Sequence, residues 1–192
     1  TNAVGNDNPE VKAAQNKEVS TIEGAELLGK LMTEVGRGIA IAGTHGKTTT
    51  TAMTALVLTA AGLDPTVLIG GEIDAFQGNH RSGKSDLMVV EACEFKKSFL
   101  YLRPTIELIT NIDWDHPDCF PALRDVIKTF TDFVALLPRN GVLILAGDDP
   151  NALSLKKKFK GKTITFGYRP EFDWEITGYR TVEPLGIVGA LS

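Results

Sequence analysis

Short apolar runs without polar alternation recur along the chain, and amphipathic stretches separate most of them. The runs fall at 39–42, 66–69, 87–91, 106–111, 141–146 and 162–166. Strands covered on both faces lose the period-two alternation of a half-exposed sheet and read as continuous apolar segments. Between them, 48–61 reads as a helix closed by Gly62. Residues 121–136 carry Leu123, Val126, Ile127, Phe130, Phe133 and Val134 at helical spacing, and 150–159 reads as a shorter helix. Alternating strands and helices of this kind predict an α/β fold, a three-layer sandwich around a mostly parallel sheet.

Two helices are predicted ahead of the first strand. One begins with Asn8 as cap, Pro9 at the first helical position and Glu10 in the first turn. The other spans 22–34, with Thr21 as cap and an apolar stripe of Leu27, Leu28, Leu31 and Met32. Residues 1–36 therefore read as a helical lead-in and 37–192 as the main domain. The stretch 72–85, rich in glycine, asparagine and charge, reads as a loop. Residues 173–177 resemble a strand, and 186–192 form an apolar stub at which the chain reads as stopping mid-element.

Composition narrows the function classes. The 192 residues are 43% hydrophobic and 23% charged, as in an ordinary folded domain. Twenty basic against twenty-four acidic side chains give a net charge of −4, without the basic excess of a general nucleic-acid or membrane binder. No apolar run approaches the roughly 20 residues of a membrane span. The first seven residues pair no basic stretch with an apolar one, so no secretory signal is expected there. Cys93 and Cys119 lack C-x-x-C spacing and read as reduced packing thiols of a cytoplasmic protein.

Chemistry concentrates at the ends of three predicted strands. Gly43-Thr44-His45-Gly46-Lys47-Thr48 follows a strand and opens a helix, the context of a phosphate-binding loop (P-loop). Its backbone N–H groups would cradle phosphates, Lys47 would reach the terminal ones, and the Thr48 hydroxyl suits magnesium. The strict motif wants glycine at position 41, which is Ile41 here. The run Thr48-Thr49-Thr50-Thr51 is a poor start for an ordinary helix, which favours a functional reason for it. Glu91 ends a second strand, on the rim where open parallel sheets bind ligands. It is either a magnesium carboxylate or a strand-end glutamate in a salt bridge. Asp113, Asp115, His116 and Asp118 follow the third strand, either as a proton-transfer or metal cluster or as helix-capping residues. His45 either contacts phosphate or supports the turn, and His80 reads as a bland loop residue. Two function classes fit these residues: an ATP-consuming enzyme, and a P-loop regulatory ATPase whose output is a shape change.

Three segments together resemble the ATP-dependent Mur ligase family. They are Gly43 to Thr50, Glu91-Ala92-Cys93-Glu94-Phe95 with Ser98-Phe99-Leu100, and Thr110-Asn111-Ile112-Asp113 with Asp115-His116-Pro117-Asp118. The resemblance covers roughly 39–166, the family's central ATP-binding domain. Asn2-Ala3-Val4 and Asn8-Pro9-Glu10 are similar to the junction with a preceding domain, and the third domain is expected beyond this chain. The resemblance implies an amide-forming ligase that joins an amino acid or a peptide to UDP-N-acetylmuramate through an acyl phosphate, using ATP and Mg2+, with no nucleic-acid or membrane partner. It implies that Gly43, Thr44, His45, Gly46, Lys47, Thr48 and Thr49 bind ATP. Lys47 would hold the β- and γ-phosphates. Thr48 and Glu91 would hold one magnesium, and His116 would help hold a second beside the substrate carboxylate. Asn79 and Arg81 would face that carboxylate. Residues 1–192 alone are expected not to turn over.

Overall fold

A computed structural model describes residues 4–5, 7–182 and 186–191. Helix α1 (Pro9–Asn16) starts as expected, with the Asn8 side chain accepting from the Glu10 N–H at 2.8 Å. Helix α2 (Gly24–Val35) starts later than the pattern implied, because Glu23 rather than Thr21 holds the extended cap position and makes no side-chain cap bond. Then follow β1 (Arg37–Ala42), α3 (Lys47–Ala60), β2 (Thr66–Ile73), β3 (Gly78–Arg81), β4 (Leu87–Glu91), a double 3-10 turn (Phe95–Tyr101) and β5 (Ile106–Ile109). The chain continues through α4 (Leu123–Val134), β6 (Val142–Ala146), α5 (Pro150–Ser154), β7 (Lys162–Gly167), β8 (Trp174–Val182) and β9 (Gly186–Leu191).

The strands align in the order β3-β2-β4-β1-β5-β6-β7-β8-β9. All neighbours from β2 to β8 run parallel, and β2–β3 and β8–β9 are antiparallel. The α/β sandwich with a mostly parallel sheet is thus present. Its two faces separate residue by residue. Ile39 and Ile41 of β1, Leu87 and Val89 of β4, and Val67 and Ile69 of β2 pack with Ala55 of α3. Ala40, Ala42, Met88 and Val90 point the other way, into a larger core with Met32 of α2, Phe99, Val126, Phe130 and Phe133 of α4, and Leu143 and Leu145 of β6.

Four elements differ from the sequence pattern. The supposed loop 72–85 extends β2 to Ile73 and contains β3, an edge strand whose polar residues carry no apolar signature because main-chain pairing to β2 holds it. Helix α5 stops at Ser154 and passes into a 3-10 turn, leaving Lys156, Lys157 and Lys158 exposed. Strand β5 ends at Ile109, although the Thr110 N–H still donates to the Ala42 carbonyl at 3.0 Å. Met32 of α2 is fully buried in the main core, so the sandwich begins before residue 37. Of the junction residues, Asn2 and Ala3 lie outside the described residues, as does Ser192. Among the described residues, no helix is long and apolar enough to cross a membrane.

Candidate functional site

After β1 the chain passes through α3 to β2 on one side, and after β4 it crosses β1 to reach β5 on the other. The carboxyl ends of β1 and β4 therefore border the crevice where a doubly wound sheet binds its ligands. Residues 43–46 leave β1 there and α3 begins at Lys47. Gly43 has φ 143°, and a Cβ on it would lie 2.0 Å from Thr110 Oγ1. Only glycine fits a backbone pressed so closely against the β5 exit.

That exit clamps the loop. Asn111 accepts from the His45 N–H at 2.8 Å and donates to the His45 carbonyl at 2.9 Å, which also accepts from Thr110 Oγ1 at 2.7 Å. The Thr44 hydroxyl accepts from the Asp113 N–H at 2.8 Å and donates to the Asp113 carbonyl at 3.2 Å. His45 supports the turn through its backbone while its side chain is exposed. Thr110 and Asn111 are thus structural partners of the loop that sequence reasoning did not assign. Their position at an exit from a central strand was the available signal.

Lys47 curls back over the loop. Its Nζ donates to the Gly43 carbonyl at 2.6 Å, the Thr44 carbonyl at 3.1 Å and Glu94 Oε1 at 3.2 Å. Glu94 lies three residues after Glu91, and its side chain is only 2% exposed. It too had no role assigned from sequence. Glu91 Oε1 accepts from Thr48 Oγ1 at 3.0 Å, and Oε2 accepts from the Gly70 N–H at 2.7 Å. A Cβ at Gly70 would come within 2.9 Å of the Glu91 carboxylate, so a side chain there would push that carboxylate aside. Of the two readings of Glu91, the salt bridge is absent from the ion pairs of the described residues.

The donor set fits a magnesium ion. Octahedral Mg–O bonds of 2.0–2.1 Å place adjacent ligand oxygens about 2.9 Å apart. The Thr48 hydroxyl and Glu91 carboxylate oxygens are 3.0 Å apart. Among the described residues no three His, Cys, Asp or Glu side chains gather as a metal cluster. One carboxylate with one hydroxyl is the usual protein share of a magnesium site that phosphates and water complete.

His116 packs its ring against Phe95, with centroids 5.1 Å apart, and its φ is 54°. Its Nε2 lies 3.8 Å from Asp115. Glu94 on Lys47 and Phe95 on His116 thus tie one turn to both groups. Two residues stand apart. Arg81 pairs with Asp64 and donates to the Pro65 carbonyl at 2.9 Å, ahead of β2 and away from the carboxyl ends. Asn79 is exposed on the edge strand, 3.3 Å from the His80 ring. Cys93 and Cys119 are free thiols, but Cys93 is exposed rather than packed. Beside Glu91, a cleft of about 900 Å³ opens between the start of α2 and the 93–99 turn, lined mainly by apolar residues such as Leu28, Leu68, Val90 and Phe99.

Residues 41–183 match the family described as Mur ligase middle domain. A UDP-N-acetylmuramate–L-alanine ligase of Clostridium botulinum (strain Hall) is 44% identical over 167 residues, covering 87% of this chain and 36% of the relative. The enzyme of that name from Caldanaerobacter subterraneus is 42% identical over 175 residues, covering 91% of this chain and 38% of the relative. The chain therefore spans little more than a third of the length of these relatives. Among solved structures, the UDP-N-acetylmuramate:L-alanyl-γ-D-glutamyl-meso-diaminopimelate ligase of Neisseria meningitides superposes with a TM-score of 0.82 at 25% identity, covering 98% of this chain and 62% of that one. The UDP-N-acetylmuramate-alanine ligase of Thermotoga maritima gives 0.77 at 27% identity, covering 93% and 40%.

Proposed function

The chain belongs to the Mur ligase family through that family's middle domain, and from this we propose that the protein carrying it is an ATP-dependent ligase that joins L-alanine to UDP-N-acetylmuramate. The observation that carries the reading is one rim holding Lys47 over a strand–loop–helix turn beside the Thr48–Glu91 oxygen pair. That arrangement suits phosphate and magnesium, and 44% identity to UDP-N-acetylmuramate–L-alanine ligases supports these substrates.

In this reading the 43–46 backbone and the start of α3 receive the β- and γ-phosphates of ATP. Lys47 neutralises their charge, so that a substrate carboxylate can approach without repulsion. Thr48 and Glu91 would hold magnesium, which when bound would add positive charge to offset that of the phosphates. The carboxylate oxygen attacks the γ-phosphorus in line, the bond to the β-phosphate breaks, and an acyl phosphate and ADP result. The free amine of alanine then attacks the acyl carbon and expels phosphate. In this reading His116, its ring braced by Phe95, would face the acid substrate. Arg81 has no part in this reading, because its guanidinium is committed to Asp64 and Pro65.

A second reading has a specific observation behind it. The murein-peptide ligase superposes with the higher TM-score, 0.82 against 0.77. There a tripeptide would replace alanine. Phosphate release by the full-length protein, given ATP, magnesium, UDP-N-acetylmuramate and a panel of amino acids with the tripeptide included, separates the readings. Release that needs L-alanine is the expected outcome, falling about 10²–10³-fold in Lys47→Ala. Release with tripeptide alone would move the protein to the second reading. Hydrolysis without any acceptor would make it a regulatory ATPase instead.

A further inference from the structure

A lysine ammonium has three N–H bonds to give. All three of Lys47 have protein acceptors: the Gly43 carbonyl at 2.6 Å, the Thr44 carbonyl at 3.1 Å and Glu94 Oε1 at 3.2 Å. A phosphate oxygen can take a hydrogen bond from Nζ only by displacing one of them. Of the three, Glu94 alone carries a full charge, and its second oxygen lies 3.0 Å from Nζ outside hydrogen-bonding geometry.

Glu94 is poorly placed to follow Lys47 if the lysine moves. The carboxylate is 2% exposed. Its turn is pinned from below by Phe99, which is buried and stacks on Phe133 at 4.3 Å. The Glu94 carbonyl accepts from the Lys97 N–H at 2.8 Å, across a backbone held at φ 49° and 58° for Lys96 and Lys97. A buried charge that loses its partner is strongly unfavourable, far more so than a surface pair that opens.

We propose that Glu94 is a positioning residue that competes with nucleotide phosphates for Lys47, so that phosphate binding exchanges one counter-ion of the ammonium for another. The proposal rests on the reading of residues 43–48 as a phosphate-binding loop. Glu94 holds Lys47 over the loop and keeps it from swinging into solvent. The same contact opposes the nucleotide, sets an upper limit on its affinity, and recaptures Lys47 as ADP departs.

The test measures ADP affinity by calorimetry on the full-length protein, with and without magnesium, for the natural sequence and for Glu94→Gln. The amide keeps an acceptor for Nζ and removes the charge. ADP is expected to bind the variant about tenfold more tightly, the size of one charge-assisted hydrogen bond. Damage to the site would move affinity the other way, so the sign separates positioning from a structural role. Equal or weaker binding by a variant that melts with the natural protein overturns the proposal and leaves the phosphate loop standing. If Glu94→Gln does not fold, a crystal structure of the natural protein with ADP decides. Nζ more than about 4 Å from Glu94 is expected, and a retained pair with phosphates bound overturns it. Failure of the natural protein to bind ADP at all would remove the phosphate-loop reading, and this proposal with it.

Discussion

At the scale of single residues, the least expected side chain is Glu107. It lies on β5 between Ala40 of β1 and Leu143 of β6, fully buried, with neither carboxylate oxygen hydrogen-bonded. Burial pushes its carboxyl well above the ordinary value of 4.5. The native state then keeps a proton that the unfolded chain gives up near that pH. Its contribution to stability is complete below pH 4.5 and fades as the pH rises toward the native value. Glu107→Leu should therefore be more stable than the natural protein at pH 8, by about 1–3 kcal/mol, with a smaller gain at pH 5. Urea unfolding at the two pH values measures this, and identical gains at both would mean that Glu107 ionises without hindrance in the folded protein. Lys47 and Thr48 were legible in the sequence because strand, loop and helix sit side by side in the chain, and Glu91 because it ends an apolar strand. Glu94 and Asn111 were not, since they meet Lys47 and His45 across separations of 47 and 66 residues.

Among the elements, the 95–101 turn has the largest influence on the site for its length. Phe99 anchors it, stacked on Phe133 at 4.3 Å and edge-on to Phe130 at 5.3 Å. Those two phenylalanines were legible as the buried stripe of α4. The turn itself was not, because Lys96 and Lys97 adopt a left-handed backbone that no pattern of apolar residues signals. Removing the ring should cost about 3–5 kcal/mol. The effect should reach Lys47 through Glu94 and His116 through Phe95. In Phe99→Ala, a melting scan is expected to show the stability loss, and phosphate release should fall even at temperatures where the variant remains folded. Full activity at such temperatures would mean that the turn only fills space. Strand β3 makes the converse case, since main-chain pairing creates an element where polar side chains predict a loop.

For the whole molecule, the layered sheet was legible because both faces of β1 and β4 bury apolar residues, which erases alternation from the sequence. The position of α2 within the sandwich was not, since Met32 belongs to an ordinary amphipathic stripe until the sheet is there to receive it. The chain spans 36% of the Clostridium botulinum relative, and in the proposed reading its residues 43–48 receive the phosphates of the nucleotide. The 192-residue chain on its own is therefore expected to bind ADP and to release no phosphate when ATP, UDP-N-acetylmuramate and L-alanine are supplied together. Calorimetry beside a phosphate assay tests both halves, and turnover by the isolated chain would place the whole reaction within these residues.

The clamp of Asn111, Thr110 and Asp113 on residues 43–46 has a kinetic meaning as well. Loop order that other cradles acquire only when a ligand arrives is here laid down as the chain folds. In the proposed reading, an arriving nucleotide would meet a preformed receptor in which a single long side chain has to swing aside. Encounter should run at the pace of diffusion and docking, and the dwell time should be governed by how quickly one ammonium group changes hands.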